Sequence, residues 1–412
     1  MLIRNLALRL ANVERLAAVR CRSMTTVLSS SSASLMSLQP HQQQPKSSYY
    51  YYSTTSTPHL SSSSATSVQP DMFCRQCEQT LDQTACVSIG VCGKSSETSN
   101  CQDALIQQIK SVSAAAVQAL AEGHTETSNE TLQAIHVWTL VATFSTLTNV
   151  NFSQERIAEY IRQGQDLKEQ MLSQLDTKPE KATSIQLGDL SLEELEDYGH
   201  SEVSVLQRQA AVNNDDAFAL HELIQYGVKG LCAYAMHCYQ LRGPNEGMNY
   251  DVMNELHNIY ALLDTNETDI NVLLPTVLKV GELNATIMAL LDESHVTNFG
   301  IPVPTQVLTT PVEGRCILVS GHDMQDLHAL LEQTAGTGIN VYTHGEMLPA
   351  HGYPKLKEFP HLVGNYGTAW QNQKLEFATF PGPCVVTTNC IQEPRKHYKD
   401  RLYTYVLYIW LC

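Results

Sequence analysis

From residue 104 to residue 295 apolar side chains recur every three or four positions, the spacing of helices with one buried face. The pattern is plainest in SVSAAAVQALAEG (111–123), AIHVWTLVATFSTLTN (134–149) and SQERIAEYIRQGQDLKEQMLSQL (153–175). Ser153 stands where the third of these needs an N-cap. Further helices are expected over Asp216–Leu241, Asp251–Asp264 and Ile270–Glu293, with breaks at Gly243–Pro244 and Gly300–Pro304. Helices joined by short links predict bundles. Beyond Pro304 the period changes. Arg315–Gly321 (RCILVSG) and Ile339–Thr343 (INVYT) read as short buried strands on either side of a helix at Met324–Thr334, and Pro383–Asn389 (PCVVTTN) reads as a third strand. Strand, helix and strand in such quick succession predict a parallel α/β sheet, so the fold class is multidomain, helical bundles first and α/β second.

The first seventy residues follow neither pattern. Arg4, Arg9, Arg15, Arg20 and Arg22 are interleaved with apolar residues, and runs of Ser, Gln and Tyr follow that cannot build a core. A basic, Ser-rich, acid-poor start is the composition of an organellar transit peptide, and no compact apolar stretch of the secretory kind interrupts it. Residues 1–70 are therefore read as transit peptide and low-complexity segment. The mitochondrial matrix is the expected destination, with plastid stroma or cytoplasm as alternatives. In such reducing compartments the twelve cysteines are expected as metal ligands or buried thiols rather than disulfides.

Charge sharpens the division. The chain carries −16 overall; residues 1–70 hold five Arg and one Lys against Glu14, which leaves −21 for the remainder. A body so acidic is expected to repel nucleic acid and anionic membranes, and it suits a basic electron-donor protein. No run of eighteen uninterrupted apolar residues occurs, so no bilayer span is expected.

Two groups of residues could carry chemistry. Cys74, Cys77, Cys86 and Cys92 lie within nineteen residues in the order C-x2-C-x8-C-x5-C. Four thiolates on one loop suit a cubane iron–sulfur cluster. They would also suit structural zinc, although zinc ribbons usually present two separated C-x2-C pairs and only one pair is found here. Cys101, Cys232 and Cys238 are expected as buried small hydrophobes. The second group sits at three predicted strand ends: His322 in SGHD, Glu346 in YTHGEMLPAHGYP and Cys390 in VTTNC. Ligands of open α/β sheets bind beyond the carboxyl ends of the strands, and imidazole, carboxylate and thiolate together suit an iron centre with oxo and sulfido character. Strand-end His and Glu also serve simply as helix caps. Asp323, His344 and His351 lie close enough in sequence to orient ligands.

The stretches FCRQCEQT, GVCGKS, YGVKGLCAYAMH, LKVGELN, ILVSGHD, GINVYTHGEMLPAHGYP, YGTAWQNQ, FPGP, TTNCIQ and YKDR follow one another from Met72 to about Thr404. In them the chain resembles the hybrid cluster protein family, also called prismane or hydroxylamine reductase. Carbon monoxide dehydrogenases share a related architecture, but the GHD and GEMLPAHGYP stretches favour the prismane family. The resemblance implies a cubane-binding helical domain over 71–298 and a Rossmann-like domain over 299–412. It places Cys74, Cys77, Cys86 and Cys92 on a [4Fe-4S] cluster. His322, Glu346 and Cys390 match three protein ligands of a hybrid [4Fe-2O-2S] cluster, with Trp370 matching a tryptophan near it. The implied activity is reduction of hydroxylamine to ammonia and water with electrons from a redox donor protein; nitric oxide reduction and protein S-nitrosylation are also proposed for the family. His344 and His351 are candidates for acid–base help by proximity. After Arg401 the sequence LYTYVLYIWLC no longer matches. The resemblance then implies that the last family domain, with three more cysteines and a second glutamate, is cut off. A non-catalytic [4Fe-4S]-binding protein is accordingly the alternative expectation.

Overall fold

A computed structural model describes residues 69–404, so the predicted transit segment and the terminal LYTYVLYIWLC lie outside the described residues apart from their innermost positions. Over the described residues from Pro70 to Thr404 the chain forms one compact unit. Its first part is helical: α1 Ser96–Ala121, α2 Glu130–Ser145, α3 Gln154–Leu172, α4 Glu180–Ser184, α5 Leu192–Ser201, α6 Val205–Val212, α7 Asp215–Glu246, α8 Tyr250–Leu263 and α9 Ile270–Phe299. Local chemistry sets the starts. Ser153 caps α3, its hydroxyl accepting from the Arg156 amide at 3.2 Å, and Ser191 with Glu194 forms a capping box on α5. The break predicted at Gly243–Pro244 is a kink inside α7, where Gly243 takes a φ of 77°.

Helix α1 is the axis of the core. It buries Ala104, Leu105, Ile109, Val112 and Ala116 among α2, α3 and α8. Close approach requires a glycine at one point: a Cβ on Gly199 of α5 would stand 1.9 Å from the carbonyl oxygen of Asn100. Cys101, Cys232 and Cys238 are buried as the sequence implies, and burial pushes their thiols up, to about 11 for Cys101 and about 12 for the other two. Helix α9 packs one stripe, Leu273, Val280, Leu283 and Ile287, towards the core. By length and composition alone it is apolar enough to cross a membrane, although no uninterrupted apolar run marks it in the sequence.

The bundle also contains a stacked pair of buried histidines. His136 Nδ1 and His257 Nε2 lie 3.0 Å apart, and His257 Nδ1 is 2.9 Å from Ser113 Oγ. Burial holds His136 down to about 4, and burial with the neighbouring ring holds His257 well below its ordinary value. Both are thus neutral in the folded protein, whereas the unfolded chain binds protons near pH 6.5. This contribution to stability is complete above pH 6.5 and is lost as pH falls towards 4. Urea titrations at pH 7 and pH 5 should show His136 contributing a loss of about 2 kcal/mol, a loss that His136→Phe removes. An equal pH dependence in the two proteins would contradict a neutral His136.

The second part is a sheet with strands β1 Arg315–Ser320, β2 Ile339–His344, β3 Leu362–Tyr366, β4 Cys384–Val386 and β5 Leu402–Thr404. Helix α10, Met324–Thr334, joins β1 to β2; α11 Pro354–Lys357, α12 Gln373–Thr379 and α13 Lys396–Lys399 precede the later strands. All pairings are parallel, in the order β3-β2-β1-β4-β5. The predicted third strand is shorter than its apolar run, and β3 and β5 are additional. LVGNY carries Gly and Asn, which weaken a strand pattern, and LYT is only three residues long. Since the chain builds outwards from β1 first to one side and then to the other, the order reverses between β1 and β4. That reversal is the usual ligand crevice of such sheets.

Candidate metal centres

Residues 72–95 fold back on themselves. Cys74 and Cys86 exchange backbone hydrogen bonds of 3.0 and 2.8 Å, and a second bridge joins Ile89 to Ser95. The loop then reverses at Gly90 and Gly93. A Cβ on Gly90 would lie 3.1 Å from Cys92 Sγ, and Gly93 takes a φ of 102°. Glycine at 90 therefore leaves room for the sulfur. Cys86 and Cys92 are buried, while Cys74 and Cys77 are half-buried. Burial raises the Cys92 thiol, and the Lys94 ammonium opposes the rise. Four cysteines on one self-bridged loop supply the all-thiolate donor chemistry that an iron–sulfur cluster takes.

The second group converges at the sheet's reversal point. His322 lies two residues past β1, Glu346 two past β2 and Cys390 four past β4. His322 Nε2 is 2.8 Å from Glu346 Oε2, and Cys390 Sγ donates to the same oxygen at 3.0 Å. One ligand atom from each of the three lies within 4.8 Å of the others. Loss of the imidazole and thiol protons would turn this knot into a nitrogen, an oxygen and a sulfur facing one ion. Burial, with Glu346 beside it, pushes the Cys390 thiol up while the proton remains.

Backbone geometry holds the ligands in place. Cys390 has a φ of 67°, in the left-handed region that favours glycine. Its carbonyl accepts from the Gln373 amide, and Gln392 ties the next turn to Gln373 Oε1 at 3.1 Å and to the Trp370 carbonyl at 2.7 Å. The amide of His322 donates to Thr388 Oγ1 at 2.8 Å; its Nδ1 is buried with no hydrogen-bond partner among the described residues. Trp370 thus joins this region through its backbone.

His344 and His351 do not offer free acid–base groups. His344 Nδ1 meets Ser320 Oγ at 3.1 Å and Nε2 meets Glu376 Oε2 at 2.9 Å, while His351 Nε2 meets Thr343 Oγ1 at 2.9 Å. Burial lowers both histidines. Both are buried, and these bonds tie the ends of β1 and β2 to their neighbours. Asp323 caps α10 through the amides of Gln325 and Asp326, and its other oxygen lies 3.8 Å from His237 Nδ1 on α7. Sequence reading had no signal for Glu376, Thr388 or His237, whose roles arise only from tertiary approach.

The two groups are joined by a short path. Three residues after Cys390, the Glu393 amide donates to the Cys92 carbonyl at 3.0 Å, and Ile391 exchanges bonds of 3.1 and 3.0 Å with Asn149 of the helical part.

The sequence model of the Prismane/CO dehydrogenase family matches residues 72–411, from the cysteine loop through the sheet, and so runs past Arg401, where the motifs alone had the resemblance end. The chain belongs to this family. Membership in the Prismane/CO dehydrogenase family implies iron–sulfur clusters, and both donor sets fit them: an all-thiolate loop, and a mixed set of softer and harder donors. Curated relatives include the hydroxylamine reductases of Salmonella paratyphi C (strain RKS4594) and Salmonella choleraesuis (strain SC-B67), each 44% identical over 356 residues. Those alignments cover 82% of this chain and 62% of each relative, so the chain spans less than two thirds of their length. Among solved structures, carbon monoxide dehydrogenase IV from Carboxydothermus hydrogenoformans is matched at 15% identity over 83% of this chain and 50% of that one, with a TM-score of 0.25.

Proposed function

We propose that the protein is an iron–sulfur oxidoreductase that reduces hydroxylamine: NH2OH + 2e− + 2H+ gives NH3 + H2O. In this reading Cys74, Cys77, Cys86 and Cys92 hold a [4Fe-4S] cluster, and His322, Glu346 and Cys390 supply protein ligands to a hybrid [4Fe-2O-2S] cluster. The observation that carries it is the meeting of His322, Glu346 and Cys390 on one oxygen at the sheet's reversal point. Relatives named hydroxylamine reductase support the choice of substrate.

The hybrid cluster would supply Lewis-acid polarisation of the N–O bond and a route for electrons. The chain's own part is positional. Glu346 and His322 stand at the solvent side, their side chains 54% and 35% exposed, so hydroxylamine and water-borne protons can reach them. The backbone path from Cys390 through Glu393 to Cys92 connects the second centre to the cysteine loop, whose exposed Ile89 and Val91 offer a place for an electron-donor protein to dock. Nitric oxide, a similarly small ligand of iron, is a second substrate of the same site, and the mitochondrial matrix is the proposed compartment.

Anaerobic protein, reduced with a viologen dye, should consume one hydroxylamine and release one ammonia for every two electrons. Protein that shows both cluster signals yet leaves the dye reduced would overturn the reading. A cubane signal alone, without turnover, would favour an electron carrier instead.

A further inference from the structure

Two buried lysines belong to the cysteine loop or touch it: Lys94 lies two residues after Cys92, and Lys229 reaches Gln76. Lys94 is 2% exposed and donates to Gln102 Oε1 at 2.7 Å. Lys229, on α7, is 5% exposed and donates to Gln76 Oε1 at 3.1 Å and to the Thr146 carbonyl at 3.3 Å. Gln76 lies between Cys74 and Cys77, so this contact brings Lys229 against the loop itself. Among the described residues neither ammonium makes an ion pair within 4.0 Å. The nearby carboxylates are already engaged. Asp103 pairs with Arg208 at 3.2 Å, and Glu222 pairs with Arg208 at 2.8 Å and with Arg75 at 3.5 Å.

A buried ammonium held only by neutral oxygens is costly, and the cost falls when negative charge is brought beside it. The cysteine loop is where that charge would arrive. Burial and the neighbouring Lys94 pull Lys229 down to about 8, which leaves it cationic at neutral pH, while Asp103 and then Cys74 act to keep it charged. An iron–sulfur core held by four thiolates carries net negative charge and gains one more on accepting an electron. In a low-dielectric surrounding a fixed cation favours the more negative state.

We infer that Lys94 and Lys229 are positioning residues for electron uptake, their buried positive charges stabilising the reduced form of the cluster held by Cys74, Cys77, Cys86 and Cys92. This rests on the [4Fe-4S] reading of that loop. The step is a single electron transfer to the cluster with no bond made or broken, and the electron comes from the reduced donor.

The test is a dithionite titration of the anaerobic holoprotein, followed by electron paramagnetic resonance of the cubane. Lys229→Gln keeps an amide donor for Gln76 and Thr146 but removes the charge. At the native midpoint it should raise the ratio of oxidised to reduced cluster about tenfold, a fall of about 59 mV for one electron. Lys229→Arg, which keeps the charge, should stay within about threefold of the native ratio. An intact cubane signal in Lys229→Gln with an unchanged ratio overturns the inference. Should that variant lose its cluster, Lys94→Gln carries the same test: a tenfold rise supports the inference and an unchanged ratio overturns it. Absence of any cubane signal from the native protein would instead refute the reading on which the inference rests.

Discussion

Cys390→Gly is expected to lower the proposed hydroxylamine reduction roughly a hundredfold or more while leaving the fold at least as stable as before. The two effects separate because one residue supplies a ligand and also bears strain. Its sulfur meets Glu346 at 3.0 Å beside His322, and its backbone sits at a φ of 67°. A non-glycine residue in that region costs about 1–2 kcal/mol, which glycine removes. A purely structural cysteine would show no such pairing of lost activity with kept or raised thermal stability. Glu346→Gln should match it in activity, since it removes the negative oxygen on which His322 and Cys390 both converge. In both variants the cubane signal should persist. Full activity in either would remove these residues from the site.

Loss of a corner of the cysteine loop is expected to be as severe, through a different centre. Cys86→Ser keeps the backbone bridge to Cys74, because that bridge runs through main-chain atoms, but it removes a buried thiolate. The signal of the proposed cubane should vanish, and with it most of the proposed turnover. Cys101→Ser is the control. Its thiol is buried on α1, and it stands outside the C-x2-C-x8-C-x5-C set. It should leave iron content and signal unchanged, since its sulfur accepts from Gln154 Nε2 at 3.5 Å in the helical core. A normal cubane in Cys86→Ser would exclude Cys86 as a ligand.

Much of this was legible in the sequence because it depends on short-range pattern. The helix at Met324–Thr334 and the first two strands follow from periodicity, and the strand-end places of His322, Glu346 and Cys390 follow from the topology of parallel sheets. The Ser153 cap needs only its neighbours. What remained hidden depends on distant segments meeting. Lys229 finds Gln76 from 153 positions away, and Thr388 finds the His322 amide from 66. His344 looked available as a proton donor until Ser320 and Glu376 were seen to occupy both its ring nitrogens. Nothing in a linear pattern distinguishes a histidine facing substrate from one pinned beneath it.

These two sets of residues are proposed to build two different iron–sulfur centres. Electron paramagnetic resonance of anaerobically prepared native protein, with iron and zinc counted on the same sample, tests this most directly. The account predicts two distinct iron–sulfur signals, the second lost in Cys390→Gly and the first retained there. Colourless protein with stoichiometric zinc, or a second signal that survives Cys390→Gly unaltered, would contradict it.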